Sequence, residues 1–314
     1  MPDTAPPLEP RFFAPRYWPT WAGIGLMKLI ARLPPGFRIR LGRFIGNTFG
    51  RISRRRRHIA AVNLVLCLPG LDDQARATLL GEHMESLGLS LVETAVAWWA
   101  KDSTLWPCIQ VEGMEHLTRL LEQGRGVIVM PAHFTTMEVC GRLLSMHAPV
   151  HFTYRLHKNP LFEACQRRAR IAHRKTGISH AAGLVLHDDM RTMVRLLKGG
   201  NALWYSPDQN YAGKQSAFVP FFGVPASTIT ATSRLAKITG AALVPVVTYR
   251  VAEGRAYRLV VSPPLDGFPS DDAVADTARL NQIFEAQIQK APAQYLWVHR
   301  RFKTRPAGEA DVYR

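Results

Sequence analysis

Short apolar runs alternate with amphipathic stretches along the chain from residue 111 onward. Apolar runs of strand length occupy residues 126–131, 150–154, 202–206, 242–249 and 257–261. Apolar residues at helical spacing mark the stretches between them, at residues 137–147, 161–176, 188–198 and 230–239. Buried strands that alternate with helices are typical of α/β proteins with parallel sheets. The pattern therefore predicts an α/β fold with a largely parallel central sheet flanked by helices.

Two longer helices are predicted outside this alternation, at residues 72–100 and 271–290, because apolar residues recur there at helical spacing. The sequence contains no internal repeat, low-complexity tract or obvious linker. We therefore expect one α/β domain over residues 61–314, preceded by an N-terminal segment over residues 1–60.

The N-terminal segment contains a short apolar helix candidate at residues 18–33, which ends at two prolines. A spanning helix needs about 20 apolar residues, whereas this run is shorter and includes Lys28 and Arg32. Tryptophans and long basic side chains suit the headgroup region of a bilayer. We interpret the segment as an interfacial membrane anchor; an ordinary core helix and a short tilted span are the alternatives.

The chain is strongly basic, with a formal net charge of +16 from 40 Lys and Arg against 24 Asp and Glu. Such a charge predicts an anionic partner, and composition does not choose among nucleic acid, an anionic membrane and a phosphorylated substrate. Many of the arginines lie in residues 38–57, directly after the apolar helix candidate. Their position favours an anionic cytoplasmic leaflet; a solvated helical face is the alternative.

Several protein classes lose support from composition and from missing motifs. A hydrophobic content of 47% excludes intrinsic disorder. The four cysteines are widely spaced and form no CxxC pair, which argues against structural zinc and thioredoxin-like chemistry. The sequence has no GxGxxG, P-loop, HExxH or GxSxG motif, so neither metal nor nucleotide cofactor is expected.

The most specific chemical pattern is His133 followed by Glu138, between the strand at 126–131 and the next helix. Open α/β sheets bind ligands at the carboxyl ends of their strands, which is where His133 lies. On one regular helix, residues five apart point about 140° away from each other. If His133 lies in the turn before the helix, Glu138 could accept one imidazole N–H and leave the other nitrogen to act as a base. A capping or surface histidine is the alternative.

Five sequence blocks occur in one order along the chain: HFTTME, YRLHKNP, SPDQN, FVPFFGVPAST and QYLWVHRRFKTRP. Together they resemble the late acyltransferases of lipid A biosynthesis, the lauroyl and myristoyl transferases related to lysophospholipid acyltransferases. The resemblance covers nearly the whole chain. It implies a glycerolipid-acyltransferase-like fold and an enzyme on the cytoplasmic face of the inner membrane.

The resemblance also implies a reaction. His133 would be the general base and Glu138 its partner, and an acyl chain would move from acyl carrier protein to a hydroxyl on a Kdo-bearing lipid A precursor. Backbone N–H groups at the start of the following helix are a plausible oxyanion site. No cofactor, metal, covalent enzyme intermediate or nucleic acid is expected. Another glycolipid or a lysophospholipid as acceptor is the alternative, and a non-enzymatic basic binding protein is a more distant one.

Four further residues match the family pattern as substrate-binding candidates. Arg155 and Arg170 are assigned to acceptor phosphates or to charge stabilisation, because arginine can bind phosphate with two parallel hydrogen bonds. Asn159 belongs to the same block as Arg155. Asp208 lies at a strand end, where it could position a sugar or a basic side chain, or cap a turn. Surface charge is the alternative for the two arginines.

The block FVPFFGVPAST contains two prolines and is therefore not expected to be helical. An irregular wall that holds an acyl chain and a plain loop on the core are both compatible with its composition. The C-terminal block mixes aromatic and basic residues, which suits an anionic headgroup or single-stranded nucleic acid; the resemblance favours the headgroup.

Overall fold

The protein is built around a seven-stranded sheet in a computed structural model that describes residues 7–172 and 183–314. Across the sheet the strands are β1 (Ile109–Glu112), β9 (Ala256–Val261), β8 (Ala242–Val251), β2 (Val127–Pro131), β5 (Ala202–Trp204), β3 (Val150–Tyr154) and β4 (Gly183–Leu186). Neighbouring strands are parallel except β8 and β9, which are antiparallel. The predicted α/β fold with a largely parallel sheet is confirmed, and so are all five predicted strands.

The central strands are buried on both faces, which explains why they are apolar without interruption. In β2, Ile128 and Met130 pack into one core, whereas Val127 and Val129 pack into a second core on the other face. This division follows from the two-residue period of a strand. The first core contains the apolar residues of α3 (Arg54–Cys67), α9 (Met190–Lys198), α10 (Ala231–Thr239) and α11 (Ala273–Lys290). The second core contains those of α6 (Met114–Glu122) and α7 (Met137–Ser145).

The predicted helices are present, with ends within about three residues of the expected positions. Three of them begin directly after aspartate caps: α4 (Asp73–Trp99), α9 and α11 follow Asp72, Asp189 and Asp272. Each carboxylate accepts N–H groups of the first turn that would otherwise lack partners. The helix predicted at 161–176 corresponds to α8 (Pro160–Ala172), and residues 173–176 lie outside the described part.

The N-terminal helices are α1 (Trp18–Ile30) and α2 (Pro35–Ile52). Gly42, Gly46 and Gly50 lie on one face of α2 and contact α4, and a Cβ added at Gly46 would lie 2.2 Å from the carbonyl oxygen of Met84. Glycine thus permits the close approach of the two helices, which makes α2 part of the folded body. The domain boundary predicted at residue 60 falls inside α3. In the described part of the chain, no helix is both long and apolar enough to cross a membrane.

The block FVPFFGVPAST forms a separate antiparallel hairpin of β6 (Ser216–Phe221) and β7 (Val224–Ile229). The prediction that it is not helical is confirmed, whereas both alternatives for it, an irregular wall and a plain loop, are wrong. Its two-residue turn, Phe222 and Gly223, has positive φ at both positions (51° and 77°), as type I′ hairpin turns require. Pro220 and Pro225 face each other across the hairpin. Proline excludes a helix but is tolerated here because both strands are edges. Phe221 is fully buried in the core.

Candidate active site

His133 lies in the loop between β2 and α7, directly beside Asp208 in the loop after β5. Its Nδ1 is 2.5 Å from Oδ1 of Asp208, and its backbone N–H donates to Oδ2 at 2.8 Å. The imidazole is 22% exposed, whereas the Asp208 side chain is fully buried. An ionised carboxylate only accepts hydrogen bonds, so Nδ1 is the donor of this pair. The arrangement leaves Nε2 as the nitrogen that can accept a proton.

The sequence predicted that Glu138 positions His133, but in the structure Asp208 does so. Glu138 is the second residue of α7, and its carboxylate accepts from Arg170 Nη2 at 2.5 Å and from Trp98 Nε1 at 2.8 Å. Asp208 contacts His133 because β2 and β5 are parallel neighbours whose carboxyl ends meet at one edge of the sheet. Local spacing along the chain does not reveal such a partner. Asp208 thus contacts a basic side chain, one of the possibilities that its position allowed.

Asp208 is held in its ionised form. Burial raises the pKa of this carboxyl. The charge that His133 has when it is protonated, the two hydrogen bonds from His133 and the charge of Arg301 outweigh burial and lower the pKa from its ordinary value of 3.8. Tyr295 is buried beside it, and burial together with the charge of Asp208 raises the pKa of the phenol well above 10. A neutral phenol and an ionised carboxylate are therefore in contact near pH 7.

The C-terminal segment, residues 294–304, joins the two loops that contain His133 and Asp208. Leu296 donates its backbone N–H to the carbonyl of His133 at 2.9 Å, and the backbone N–H of Thr135 donates to the carbonyl of Gln294 at 2.7 Å. Two residues after Asp208, the backbone N–H of Asn210 donates to Nε2 of His299 at 3.1 Å. Burial lowers the pKa of His299 to about 4, so its ring is neutral and can accept. The segment thus fixes both loops relative to each other.

A buried ion pair is also connected to the loop that contains His133. Arg250 donates to both oxygens of Glu93, each at 2.6 Å, and to the hydroxyl of Ser86 at 2.9 Å. Ser86 in turn shares a 2.7 Å hydrogen bond with Thr135, two residues after His133. If this buried pair were broken, one charge would be left without a partner, which is energetically costly. The network therefore favours the single arrangement of the loop in which all of these contacts are made.

A cavity of about 240 Å³ lies between α7, α8, the end of α4 and strands β3, β4 and β5. Its lining includes Met137, the first residue of α7, but neither His133 nor Asp208. Aromatic and aliphatic side chains form much of its wall, including Trp98, Met137, Phe152, Leu184 and Trp204. Glu138, Arg142, Arg155 and Arg170 also line it. The cavity therefore combines an apolar interior with charged groups.

The other predicted site residues lie in different places. Arg155 and Arg170 line the cavity, with Arg170 paired to Glu138. The Oδ1 atom of Asn159 accepts the N–H groups of Leu161 and Phe162 at the start of α8, and its Nδ2 donates to Thr20. Asn159 thus has a structural role as a helix cap, and its contacts give no support to substrate binding.

Two further expectations concern backbone donors and metals. The N–H groups of Thr135 and Met137 donate to the carbonyls of Gln294 and Phe134, so these two are already used and are not an open oxyanion site. Within residues 7–172 and 183–314, no cluster of three His, Cys, Asp or Glu side chains is placed to hold a metal ion. Cys140 is buried, and burial raises the pKa of its thiol to about 12.

Sequence reasoning missed Trp98, Arg142 and His299 as residues of the site region. Trp98 and Arg142 belong to helices that otherwise show ordinary core spacing, so the pattern alone does not distinguish them. His299 is part of the recognised block QYLWVHRRFKTRP, and its position in that block was the available indication.

Comparison with known proteins agrees with the resemblance found in the sequence. A family model described as bacterial lipid A biosynthesis acyltransferase matches residues 5–304. The lipid A biosynthesis palmitoleoyltransferase of Escherichia coli (strain K12) is 41% identical over 303 residues, which cover 96% of both chains. The lauroyltransferase of the same organism is 39% identical over 300 residues, 95% of this chain and 96% of the relative. The myristoyltransferase is 28% identical over 316 residues, 98% and 94% respectively. The chain belongs to the bacterial lipid A biosynthesis acyltransferase family.

Proposed function

We propose that this acyltransferase of lipid A biosynthesis moves a fatty acyl chain from acyl carrier protein to the hydroxyl of an acyl chain on a Kdo-bearing lipid A precursor. The observation that carries the proposal is the His133–Asp208 pair at the carboxyl edge of the sheet. A partly exposed imidazole with one nitrogen held by a buried carboxylate has the arrangement of a general base.

In this reaction Nε2 of His133 removes the proton from the acceptor hydroxyl, and the oxygen attacks the carbonyl carbon of the donor thioester. The tetrahedral intermediate collapses with cleavage of the carbon–sulfur bond, and His133 returns its proton to the leaving thiolate. Asp208 fixes the tautomer and stabilises the imidazolium without being protonated. The step requires neither a cofactor nor a metal.

The donor chain occupies the cavity beside α7. The apolar part of its wall suits a hydrocarbon chain, since each methylene removed from water contributes about 0.8 kcal/mol. Glu138 positions Arg170 at this cavity through their ion pair, and Arg170 stabilises charge that develops on the substrates. Arg155, exposed on the same wall, binds a phosphate of the acceptor.

Membrane and carrier-protein contacts fit the surface of the N-terminal helices. Large apolar side chains are exposed there, including Trp18 at 63%, Phe44 at 68% and Ile52 at 76%. Arginines between and after them, such as those at 54–57, are exposed as well. This combination suits the headgroup region of an anionic bilayer on the cytoplasmic face of the inner membrane. The same positive field would attract the acidic acyl carrier protein.

The experiment is an acceptor panel in detergent with acyl-loaded carrier protein as donor. The Kdo-bearing precursor, which is a phosphorylated disaccharide, the precursor without its phosphates and a lysophospholipid are compared by the mass of the lipid product. The proposal predicts one added acyl group on the precursor and at least a tenfold lower kcat/KM on the lysophospholipid, equivalent to about 1.4 kcal/mol of lost transition-state binding. A preference for the lysophospholipid would contradict it.

A further inference from the structure

Three arginines are buried in the part of the chain that the structure describes, and Arg301 is the most deeply buried of them, at 2% exposure. The other two each pair with a carboxylate: Arg142 with Asp102, in the short helix α5 (Asp102–Leu105), and Arg250 with Glu93. Within residues 7–172 and 183–314, no carboxylate oxygen lies within 4 Å of the Arg301 guanidinium. The charge of Arg301 therefore needs a different explanation.

The guanidinium of Arg301 is held by neutral oxygens of the β6–β7 hairpin and of α11. Its Nη1 donates to the carbonyl of Ser227 at 2.9 Å, and its Nη2 donates to the hydroxyl of Thr228 at 2.5 Å. Nη2 also donates to Oδ1 of Asn281 at 3.5 Å, and the guanidinium carbon lies 5.1 Å from the centroid of the Phe221 ring. These contacts fix the group without balancing its charge, and a buried charge is costly unless an opposite charge compensates it.

The compensating charge comes from Asp208. Burial lowers the pKa of the Arg301 guanidinium, whereas the charge of Asp208 raises it. The effect is mutual, because the charge of Arg301 lowers the pKa of Asp208. An arginine stays protonated in proteins, so its charge is permanent, whereas His133 is positive only after it has taken up a proton. Arg301 is thus a cation that acts on Asp208 even while His133 is neutral.

The other titratable groups around this pair are neutral near pH 7. Burial raises the pKa of two phenols and one thiol, those of Tyr295, Tyr313 and Cys67. Burial lowers the pKa of His299 to about 4. Two further charged groups act on these neighbours, Arg56 of α3 on His299 and Glu285 of α11 on Cys67, and both are unchanged in every variant used below.

An added proton disables the His133–Asp208 pair whichever residue holds it. An imidazolium has a hydrogen on both nitrogens, and a protonated Asp208 would donate to Nδ1 of His133, so that Nε2 would hold the hydrogen of the neutral ring. A positive charge buried near the pair opposes the uptake of this proton. We propose that Arg301 is a positioning residue of the acyl transfer, whose permanent charge keeps the pair free of an added proton so that Nε2 of His133 can act as the base near pH 7. The inference rests on the proposed function, because it concerns the base of that reaction.

The test measures kcat/KM against pH for acyl transfer from acyl carrier protein to the Kdo-bearing precursor. The acidic side of this profile reports protonation of the base in the free enzyme, and ionisation of the substrates is the same for every variant. Arg301→Met removes the charge, so we expect the pH at which kcat/KM is half-maximal on the acidic side to rise by about 1 pH unit. Arg301→Lys retains a positive charge and should keep this acidic midpoint at the wild-type value.

Two further variants separate the charge from the shape of the side chain. Arg300→Met makes the same change one residue away, at a partly exposed arginine that pairs with Asp311, and as the matched control it should keep the wild-type acidic midpoint. Asn281→Asp retains Arg301 but places a carboxylate where the amide oxygen accepts from Nη2, which compensates the charge locally. It should raise the acidic midpoint in the same direction as Arg301→Met. The thermal midpoint of each variant verifies folding.

Two results would overturn the proposal. One is a folded Arg301→Met or Asn281→Asp protein with an unchanged acidic midpoint, since a loss of activity that is equal at every pH would make the role of Arg301 purely structural. The other is the same rise of the midpoint in Arg301→Lys, which would assign the effect to shape instead of charge. Acyl transfer by the wild-type protein tests the proposed function separately: its absence would refute that function, whereas transfer with unchanged midpoints would refute only the role of Arg301.

Discussion

Replacement of Asp208 by asparagine distinguishes the partner found in the structure from the one that sequence spacing suggested. The substitution keeps the volume of the side chain but removes its charge, and it places an amide where the carboxylate accepts two hydrogen bonds from His133. Charge-assisted hydrogen bonds contribute about 1.5–3 kcal/mol each. A general base contributes roughly 100- to 10,000-fold to turnover. We therefore expect kcat of Asp208→Asn to fall by about 100-fold or more.

The Michaelis constants should change little, because Asp208 is fully buried and does not line the cavity. The assay measures initial rates of acyl transfer over a range of donor and acceptor concentrations. Asp276→Asn is the matched control, since Asp276 is also buried and accepts hydrogen bonds from Ser233 and Ser270 in another part of the molecule. It should lower the thermal midpoint without a comparable loss of kcat. A folded Asp208→Asn protein with more than about a tenth of wild-type kcat would refute the role given to Asp208.

Three further predictions concern the ion pair at the cavity, the packing of α2 on α4 and a buried histidine of α4. Glu138→Gln and Arg170→Met should each lower kcat/KM by at least about tenfold. Because the two side chains act as one ion pair, the double variant should lose no more activity than the less active single variant. Additive losses would contradict this prediction. Gly46→Ala should lower the free energy of unfolding, measured with denaturant, by roughly 1–3 kcal/mol. Gly23 has open space around it, so Gly23→Ala should leave the free energy of unfolding unchanged or raise it. Equal effects of the two substitutions would contradict the close packing of α2 on α4. Burial lowers the pKa of His83 from 6.5 to about 4 in the folded protein. As the pH falls, the histidine is therefore protonated in the unfolded state before it is protonated in the folded state. The free energy of unfolding should decrease as the pH drops from about 6.5 to about 4. This loss should be about 3 kcal/mol smaller in His83→Gln, and parallel curves of unfolding free energy against pH would contradict it.

The parts of the fold that sequence predicts are those in which one local pattern settles the structure. The strands at the centre of the sheet are buried on both faces, so their apolar runs are continuous. The two unpredicted strands of this sheet, β1 and β4, are its edges and are only four residues long. An edge strand is partly exposed and needs no continuous apolar run. The hairpin was missed because its prolines argue against regular structure in general, whereas they exclude only helices and central strands.

The sequence predicted most of the residues of the candidate site but not which of them form pairs. His133, Glu138, Arg155 and Asp208 were named because each occurs in a recognisable block, and Arg170 because it matches an arginine of the family pattern in the helix that follows the second block. Which acid meets His133 depends on the order of strands in the sheet, which places the end of β5 beside the end of β2. No spacing along the chain encodes that order. The buried charge of Arg301 likewise becomes apparent only when its burial and its partners are known.

The most direct test of the central claim is the mass of the lipid product formed by the wild-type protein and by His133→Ala. Both are incubated with acyl-loaded carrier protein and the Kdo-bearing precursor, and folding of the variant is verified by its thermal midpoint. The proposed reaction predicts a mass increase of one acyl group with the wild-type protein and a loss of turnover of about 100-fold or more in the variant. Equal product with both proteins, or no added acyl group with the wild type, would contradict the assignment of His133 as the base of this acyl transfer.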